Sequence, residues 1–187
     1  MPVERYTKIA IGLHWLVATG IIANVALAWI WPHLADENVR PAIDVHKSIG
    51  ITVLGLAIMR ILWRVSHKPP AMPTGYAKWE VTASHVAHWL LYLLIFAMPL
   101  TGWIMDSAWK DADTHPMFFF GLFEWPRIGI FMHHDPALQD RMHDLFGAAH
   151  EWFSWILYAL FALHLAGALK HQWFDGEREI QRMLPGD

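Results

Sequence analysis

Four long stretches of the chain are almost entirely apolar, and polar or proline-rich segments separate them. A helix that crosses the hydrocarbon core of a bilayer needs about 20 largely apolar residues. The pattern therefore predicts four membrane-spanning helices, at residues 9–31, 45–64, 83–105 and 149–171. The second stretch is the least apolar, because it includes Lys47 and Arg60. Both lie near its ends, from where long cationic side chains can reach the polar interface.

The segments between the apolar stretches read as loops. Residues 64–80 are rich in proline, which favours an irregular connection. Residues 106–147 are aromatic but interrupted by glycine and proline, so we expect a long loop that lies at the membrane interface. The predicted fold class is all-α, an integral membrane four-helix bundle formed by a single domain over residues 1–187.

The composition changes this picture in two respects. The chain has 12 Trp, a residue that is favoured at membrane–water interfaces because its ring is apolar while its N–H is polar. It has no Cys, which excludes disulfides, iron–sulfur clusters, thiolate zinc sites and the covalent attachment of haem through a CxxCH motif.

The charge distribution predicts the orientation of the bundle. One side would carry the N-terminus, the 64–80 loop and the C-terminal tail, with nine Lys and Arg against six Asp and Glu. The opposite side would carry five Lys and Arg against eleven Asp and Glu. Because cytoplasmic loops are enriched in Lys and Arg, we expect both termini to be cytoplasmic and the acidic side to face outward. No nucleic-acid partner is expected.

Two histidines of the last apolar stretch, His150 and His164, are 14 residues apart. In a helix this spacing is a rise of about 21 Å and falls about 40° short of four full turns, so both imidazoles leave nearly the same face. His14 has the predicted depth of His164, and His46 that of His150. Two pairs at matched depths suit bis-imidazole ligation of two haem irons. A zinc site would instead need its ligands clustered at one depth.

His85 and His88 share one face at the inner end of the third predicted helix. Three alternatives are open for them. They could ligate the inner haem in place of His14, they could hydrogen-bond and protonate a quinone, or they could form a polar cap at the interface.

The chain resembles the bacterial cytochrome b561 family of di-haem, four-helix membrane proteins. The resemblance covers nearly the whole chain and is carried by "IGLHWLVA", "IDVHKSIGI", "SHVAHWLLYLLIFAMPLTGW", "AAHEWFSWILYALFALHLAGALKH" and "RMLPG". It implies two haems b in a bacterial inner membrane, with His14 paired with His164 and His46 paired with His150. It also implies electron exchange with ubiquinone, and one member of the family is a superoxide oxidase.

We therefore expect an oxidoreductase that passes electrons between a donor at the outer, periplasmic face and ubiquinone. The donor would be superoxide or a basic redox protein. The alternative is a membrane-anchor cytochrome b subunit of a larger dehydrogenase. The acidic outer side disfavours long-range attraction of superoxide, which is an anion. A local group of cations could still bind an outer anion or a haem propionate, and its candidates are Lys47, Arg40 and Arg141.

Overall fold

Residues 5–73 and 75–185 are described by a computed structural model. Four long helices account for most of the described chain. They are α1 (Lys8–Ile30), α2 (Asp36–Ser66), α3 (Lys78–Ser107) and α4 (Pro136–Trp173), and a short α5 (Glu179–Met183) follows. All four long helices are long and apolar enough to cross a membrane, which confirms the predicted helical fold class. The predicted domain of residues 1–187 and both predicted termini include positions outside the described residues.

The helices close into a ring of neighbours. Contacts are most extensive between α3 and α4 and between α1 and α2, and α2 also packs against α3. An edge-to-face contact between Trp29 of α1 and Tyr158 of α4 joins the first helix to the last.

A small apolar cluster formed by Val17, Val53, Ala57 and Ile95 holds α1, α2 and α3 together. The helices approach closely at Gly20, where a Cβ atom would lie 2.6 Å from a methyl group of Val53. Many large apolar side chains on the helices point outward, as expected of surfaces that face lipid.

Two helices are longer than the hydrophobic pattern predicts. α2 begins at Asp36, nine residues before the predicted span, and α4 begins at Pro136, 13 residues before it. Asp135 caps α4 by accepting a hydrogen bond from the backbone N–H of Ala137 at 3.0 Å, and proline is well suited to the first helical position. The prediction of a loop over residues 106–147 is therefore wrong at both ends, and the irregular segment runs from 108 to 135.

This irregular segment, the 108–135 loop, is folded. It contains a two-stranded antiparallel hairpin of β1 (Phe118–Phe119) and β2 (Phe123–Glu124), and short 3₁₀ turns at Ala112–Thr114 and Gly129–Phe131. Its contacts reach α2 through Ser48, whose hydroxyl donates to the carbonyl oxygen of Phe118 at 3.3 Å and accepts from the N–H of Phe120 at 2.9 Å. The hairpin is thus fixed against the end of α2 that carries His46.

Candidate functional site

The first histidine pair is formed by His46 of α2 and His150 of α4, whose ring centroids are 6.2 Å apart with an interplanar angle of 70°. A backbone carbonyl accepts a hydrogen bond from Nδ1 of each ring. Nδ1 of His46 donates to the oxygen of Asn24 at 3.2 Å, and Nδ1 of His150 donates to the oxygen of Met98 at 3.0 Å. A carbonyl can only accept, so the proton is on Nδ1 and the Nε2 lone pair is left free. This is the usual arrangement of a metal-ligating histidine.

Gly102 of α3 makes room for the ring of His150. A Cβ atom at this position would lie 3.2 Å from Cε1 and 3.4 Å from Nδ1 of that imidazole. These separations are tighter than ordinary van der Waals contact, so a larger residue would push the ring away from its present position.

The second pair is formed by His14 of α1 and His164 of α4, with ring centroids 6.3 Å apart and an interplanar angle of 67°. A third imidazole lies beside them, because the ring centroid of His88 in α3 is 5.3 Å from that of His164. Nδ1 of His88 donates to the carbonyl oxygen of Ser84 at 2.7 Å. The three histidines come from three helices. We call them the inner cluster, and the first pair the outer site, after the orientation that the charge distribution predicts.

The separations within both pairs fit one metal ion between two imidazoles. Histidine nitrogen lies about 2.0–2.1 Å from a first-row metal ion, and the ring centre lies about 1 Å beyond it, so opposite rings have centres roughly 6 Å apart. The pairs at 6.2 and 6.3 Å match this value, while His88 and His164 are closer. By distance and chemistry, the residues of each pair therefore fit haem iron, which they would hold through two imidazole nitrogens.

His85 remains a candidate by position only. It lies on α3 and is exposed, and no ring contact joins it to His164 in the described part of the chain as one joins His88. Its role and that of His88 at a quinone site remain predictions.

Two of the three candidate outer cations have acidic partners. Nζ of Lys47 lies 2.5 Å from Oδ1 of Asp106, and Nε of Arg40 lies 3.4 Å from the carboxylate of Asp44. Arg141 is exposed on α4. The structure thus ties Lys47 and Arg40 into ion pairs, and the role of the three cations in binding an outer anion or propionate remains a prediction.

Sequence reasoning missed Arg127, which is the second cation on Asp106, the carboxylate that pairs with Lys47. Its Nε lies 3.0 Å from Oδ2 of Asp106, and its other nitrogens donate to the carbonyl oxygens of Ala112 at 2.6 Å and His115 at 2.8 Å. A single arginine in a loop gives no local signal of such a role, because its partner is 21 positions away.

A polar network closes the inner end of the bundle. The Tyr76 hydroxyl donates to Glu179 at 2.6 Å, and Arg182 donates to the same carboxylate at 3.0 Å. Burial, together with the Glu179 hydrogen bond, raises the pKa of Tyr76. The backbone oxygen of Met183 accepts a 2.6 Å hydrogen bond from the indole N–H of Trp15, the neighbour of His14. The C-terminal segment is thereby anchored beside the inner cluster.

A second polar group at this end joins α3 to α4. Glu80, His171 and Asp175 present ligand-type atoms within 4.8 Å of one another. The Lys170 ammonium contacts both carboxylates, at 2.6 and 2.7 Å, and so occupies the position that a cation would take. Hydrogen bonds from Lys170 and His171 hold the pKa of the Asp175 carboxyl below its usual range.

Four apolar helices that enclose two pairs of imidazoles at different depths define a class of protein, the membrane cytochromes b. The chain belongs to the prokaryotic cytochrome b561 family, whose model matches residues 5–186. It is therefore a bacterial membrane protein that binds haem b and transfers electrons.

Individual relatives are similar over almost their full length. Cytochrome b561 homolog 2 of Escherichia coli strain K12 is 33% identical over 190 residues, which cover 97% of this chain and 92% of that protein. The probable superoxide oxidase CybB of Yersinia pestis is 27% identical, with 97% of each chain covered. Cytochrome b561 homolog 1 of Escherichia coli is 23% identical, with coverage of 97% and 98%.

Proposed function

We propose that the chain carries two haems b and passes electrons across the membrane between a donor at the outer face and ubiquinone. The outer haem would be held by His46 and His150, and the inner haem by His14 and His164. The observation that carries the proposal is the pair of ring separations, 6.2 and 6.3 Å, at two positions 14 residues apart on α4.

In this function the polypeptide would bind the haems, orient them and keep water away from them. Bound haem supplies reversible one-electron chemistry, and the apolar helices exclude water from it. In the outer site, the carbonyl oxygens of Asn24 and Met98 fix the tautomer and direction of both imidazoles. In the inner cluster, the hydrogen bond from Nδ1 of His88 to Ser84 leaves Nε2 free, so His88 is a candidate to take up a proton there and to pass it to a quinone carbonyl, with His85 on the same helix.

The orientation proposed is the one predicted from charge, with both termini cytoplasmic. It places the histidine pair of His46 and the 108–135 loop on the periplasmic side. It places His14, His88, His164 and the polar network of the C-terminal segment on the cytoplasmic side, where protons for quinone reduction are available.

Haem content and ligand variants test the proposal. Pyridine haemochrome analysis of purified protein should give two non-covalent haems b per chain. His150→Ala should remove the outer haem and His164→Ala the inner one, and each variant should keep the other haem, because the two positions are about 21 Å apart along α4. One haem per chain in the wild-type protein would refute the proposal.

His143→Ala is a matched control for these variants. His143 is half-buried on the same helix, and its Nδ1 donates to the carbonyl oxygen of Met105 at 2.9 Å. It should keep both haems. The pairing of His14 is tested in the same way: if His88→Ala removes the inner haem and His14→Ala does not, His88 is the ligand.

Superoxide is the first candidate donor, and the similarity to the probable superoxide oxidase of Yersinia pestis supports it. Each superoxide would lose one electron and become O₂, and ubiquinone would take two electrons and two protons to become ubiquinol. Stopped-flow mixing of superoxide with the purified protein, with ubiquinone present, measures the rate of haem reduction. If Lys47 attracts the anion locally, Lys47→Gln should slow this rate at low salt and have less effect at high salt.

A basic redox protein or the catalytic subunit of a larger dehydrogenase is the second candidate donor. The observation that favours it is the excess of Asp and Glu on the proposed outer side, eleven against five Lys and Arg. Association with a cationic protein should slow steeply as salt is added, because many exposed acids would act together. Reduction of the Lys47→Gln variant by superoxide should not slow as salt is added, because superoxide is itself an anion. The salt dependence of the reduction rate therefore separates the two donors.

A further inference from the structure

Arg60 repeats on α2 the spacing that relates the two histidines of α4. It follows His46 by 14 residues, just as His164 follows His150. The same helical geometry therefore places Arg60 on nearly the same face of α2 as His46 and about 21 Å deeper, at the level of the inner cluster. The sequence predicts that Arg60 reaches toward the membrane surface.

The side chain turns into the bundle instead. Nε of Arg60 donates to the hydroxyl of Tyr92 on α3 at 3.3 Å, and the guanidinium carbon lies 5.7 Å from the centre of that ring. Its charge interacts electrostatically with His14, His88 and His164. At this level each of the four long helices thus contributes one nitrogen-bearing side chain to a common region.

The guanidinium has an unused donor. Nη1 of Arg60 is buried and has no hydrogen-bond partner among the described residues. No Asp or Glu occurs in the sequence between Asp44 and Glu80, between Glu80 and Asp106, between residues 8 and 35, or between residues 152 and 174. The membrane-embedded parts of the neighbouring helices therefore offer no carboxylate to neutralise it. A buried and unpaired cation is strongly unfavourable, so a partner that is not part of the protein is expected.

We propose that Arg60 binds a propionate carboxylate of the haem that His14 and His164 hold. The inference rests on the inner haem of the proposed function. Haem b carries two propionates, and a guanidinium forms short, paired, charge-assisted hydrogen bonds to a carboxylate. Tyr92 is a positioning residue, because its hydroxyl and ring hold the guanidinium from one side.

Two measurable properties of the inner haem follow. A cation beside the haem favours the reduced state, which carries one more negative charge, so Arg60 raises the midpoint potential. It also keeps the propionate ionised in both redox states, so the potential does not change with pH near neutrality. Without Arg60 the propionate would take up a proton as the haem is reduced, and the potential would fall as pH rises.

The test is a potentiometric titration of Arg60→Gln at several pH values in lipid nanodiscs, with haem content measured in parallel. We expect a lower potential for the inner haem, a new dependence on pH, and haem binding about 10- to 100-fold weaker, as for the loss of one charge-assisted hydrogen bond. The outer haem should be unchanged and reports that the variant is folded. Arg60→Lys should restore the charge and most of the potential.

Lys68→Gln is the matched control, because Lys68 is exposed just beyond the end of α2. It should change neither haem. An inner haem whose potential and pH dependence are the same in Arg60→Gln as in the wild type would overturn the propionate proposal and leave the haem assignment standing. A wild-type protein that has no haem between His14 and His164 would overturn both.

The remaining anion that could reach Arg60 is a lipid phosphate. Wild-type protein is therefore compared in nanodiscs of zwitterionic lipid alone and of zwitterionic lipid with anionic lipid. A potential that is the same in both membranes supports the propionate. An effect of Arg60→Gln that appears only with anionic lipid would assign the site to a lipid headgroup and overturn the proposal.

Discussion

Asp106→Asn should loosen the outer end of the bundle, because this carboxylate links three separate parts of the chain. Asp106 lies near the end of α3, and its side chain is only 6% exposed. It contacts Lys47 of α2 at 2.5 Å and Arg127 of the 108–135 loop at 3.0 Å. The side chains of Lys47 and Arg127 are only 16% and 6% exposed, so water would not solvate these cations in place of the lost carboxylate.

The magnitude follows from this burial. Removing one partner of a buried ion pair costs about 3–5 kcal/mol, because an uncompensated charge is left behind. For a protein of this size each kcal/mol lowers the melting temperature by about 2–4 °C, so we expect a decrease of roughly 6–20 °C. Asparagine keeps one carbonyl oxygen as an acceptor, which places the expected value at the lower end of this range.

The assay is thermal denaturation of the purified holoprotein in one detergent, followed by loss of the haem absorption band. Asp113→Asn is the matched control, because Asp113 pairs with His133 while its side chain is 64% exposed. Pairs exposed to this degree contribute about 1 kcal/mol or less. The reasoning is wrong if the two variants melt within 2 °C of each other, since burial would then not decide the strength of these pairs.

Two further substitutions test contacts next to the proposed haem ligands. Gly102→Ala should move the ring of His150 by a few tenths of an ångström and shift the spectrum or potential of the outer haem alone, while Gly55→Ala, which has open space around it, should do neither. Trp15→Phe removes the hydrogen bond to the Met183 carbonyl, so limited trypsin digestion should cut the C-terminal segment faster than in the wild type. Equal digestion rates would show that this bond does not hold the segment.

The membrane-embedded fold could be predicted because its signal is local. An apolar run of the right length leaves a helix as the only backbone conformation that satisfies its own hydrogen bonds in lipid. The extensions of α2 before residue 45 and of α4 before residue 149 were not predicted, since they are polar and carry no such run. The start of α4 has a local signal, Asp135 followed by Pro136, whereas Ala35 before α2 makes no side-chain capping hydrogen bond and only the acids Asp36 and Glu37 mark the first turn.

The site was predictable to the extent that helical geometry determines it. The 14-residue spacing places His150 and His164 on one face of α4, and the structure brings His46 and His14 to them. The spacing alone could not decide whether His14 or His88 pairs with His164, because both lie at the depth of His164 and both approach it. The pairing of Lys47 with Asp106 spans 59 positions of sequence, and only the packing of α2 on α3 determines it.

The two histidine pairs differ in their hydrogen-bond partners and in the side chains beside them. This difference bears on the proposed direction of electron transfer. Both outer imidazoles are held by backbone carbonyls, at 3.2 and 3.0 Å, and such rings have little freedom to move. Within the described part of the chain, His14 and His164 have no such hydrogen bond; a third imidazole and the charge of Arg60 lie beside them instead. A site that only exchanges electrons needs rigidity, whereas the reduction of a quinone also needs proton donors close by. The inner cluster is therefore the better candidate for the quinone end of the pathway, and the outer pair is the better candidate for the end that meets the donor.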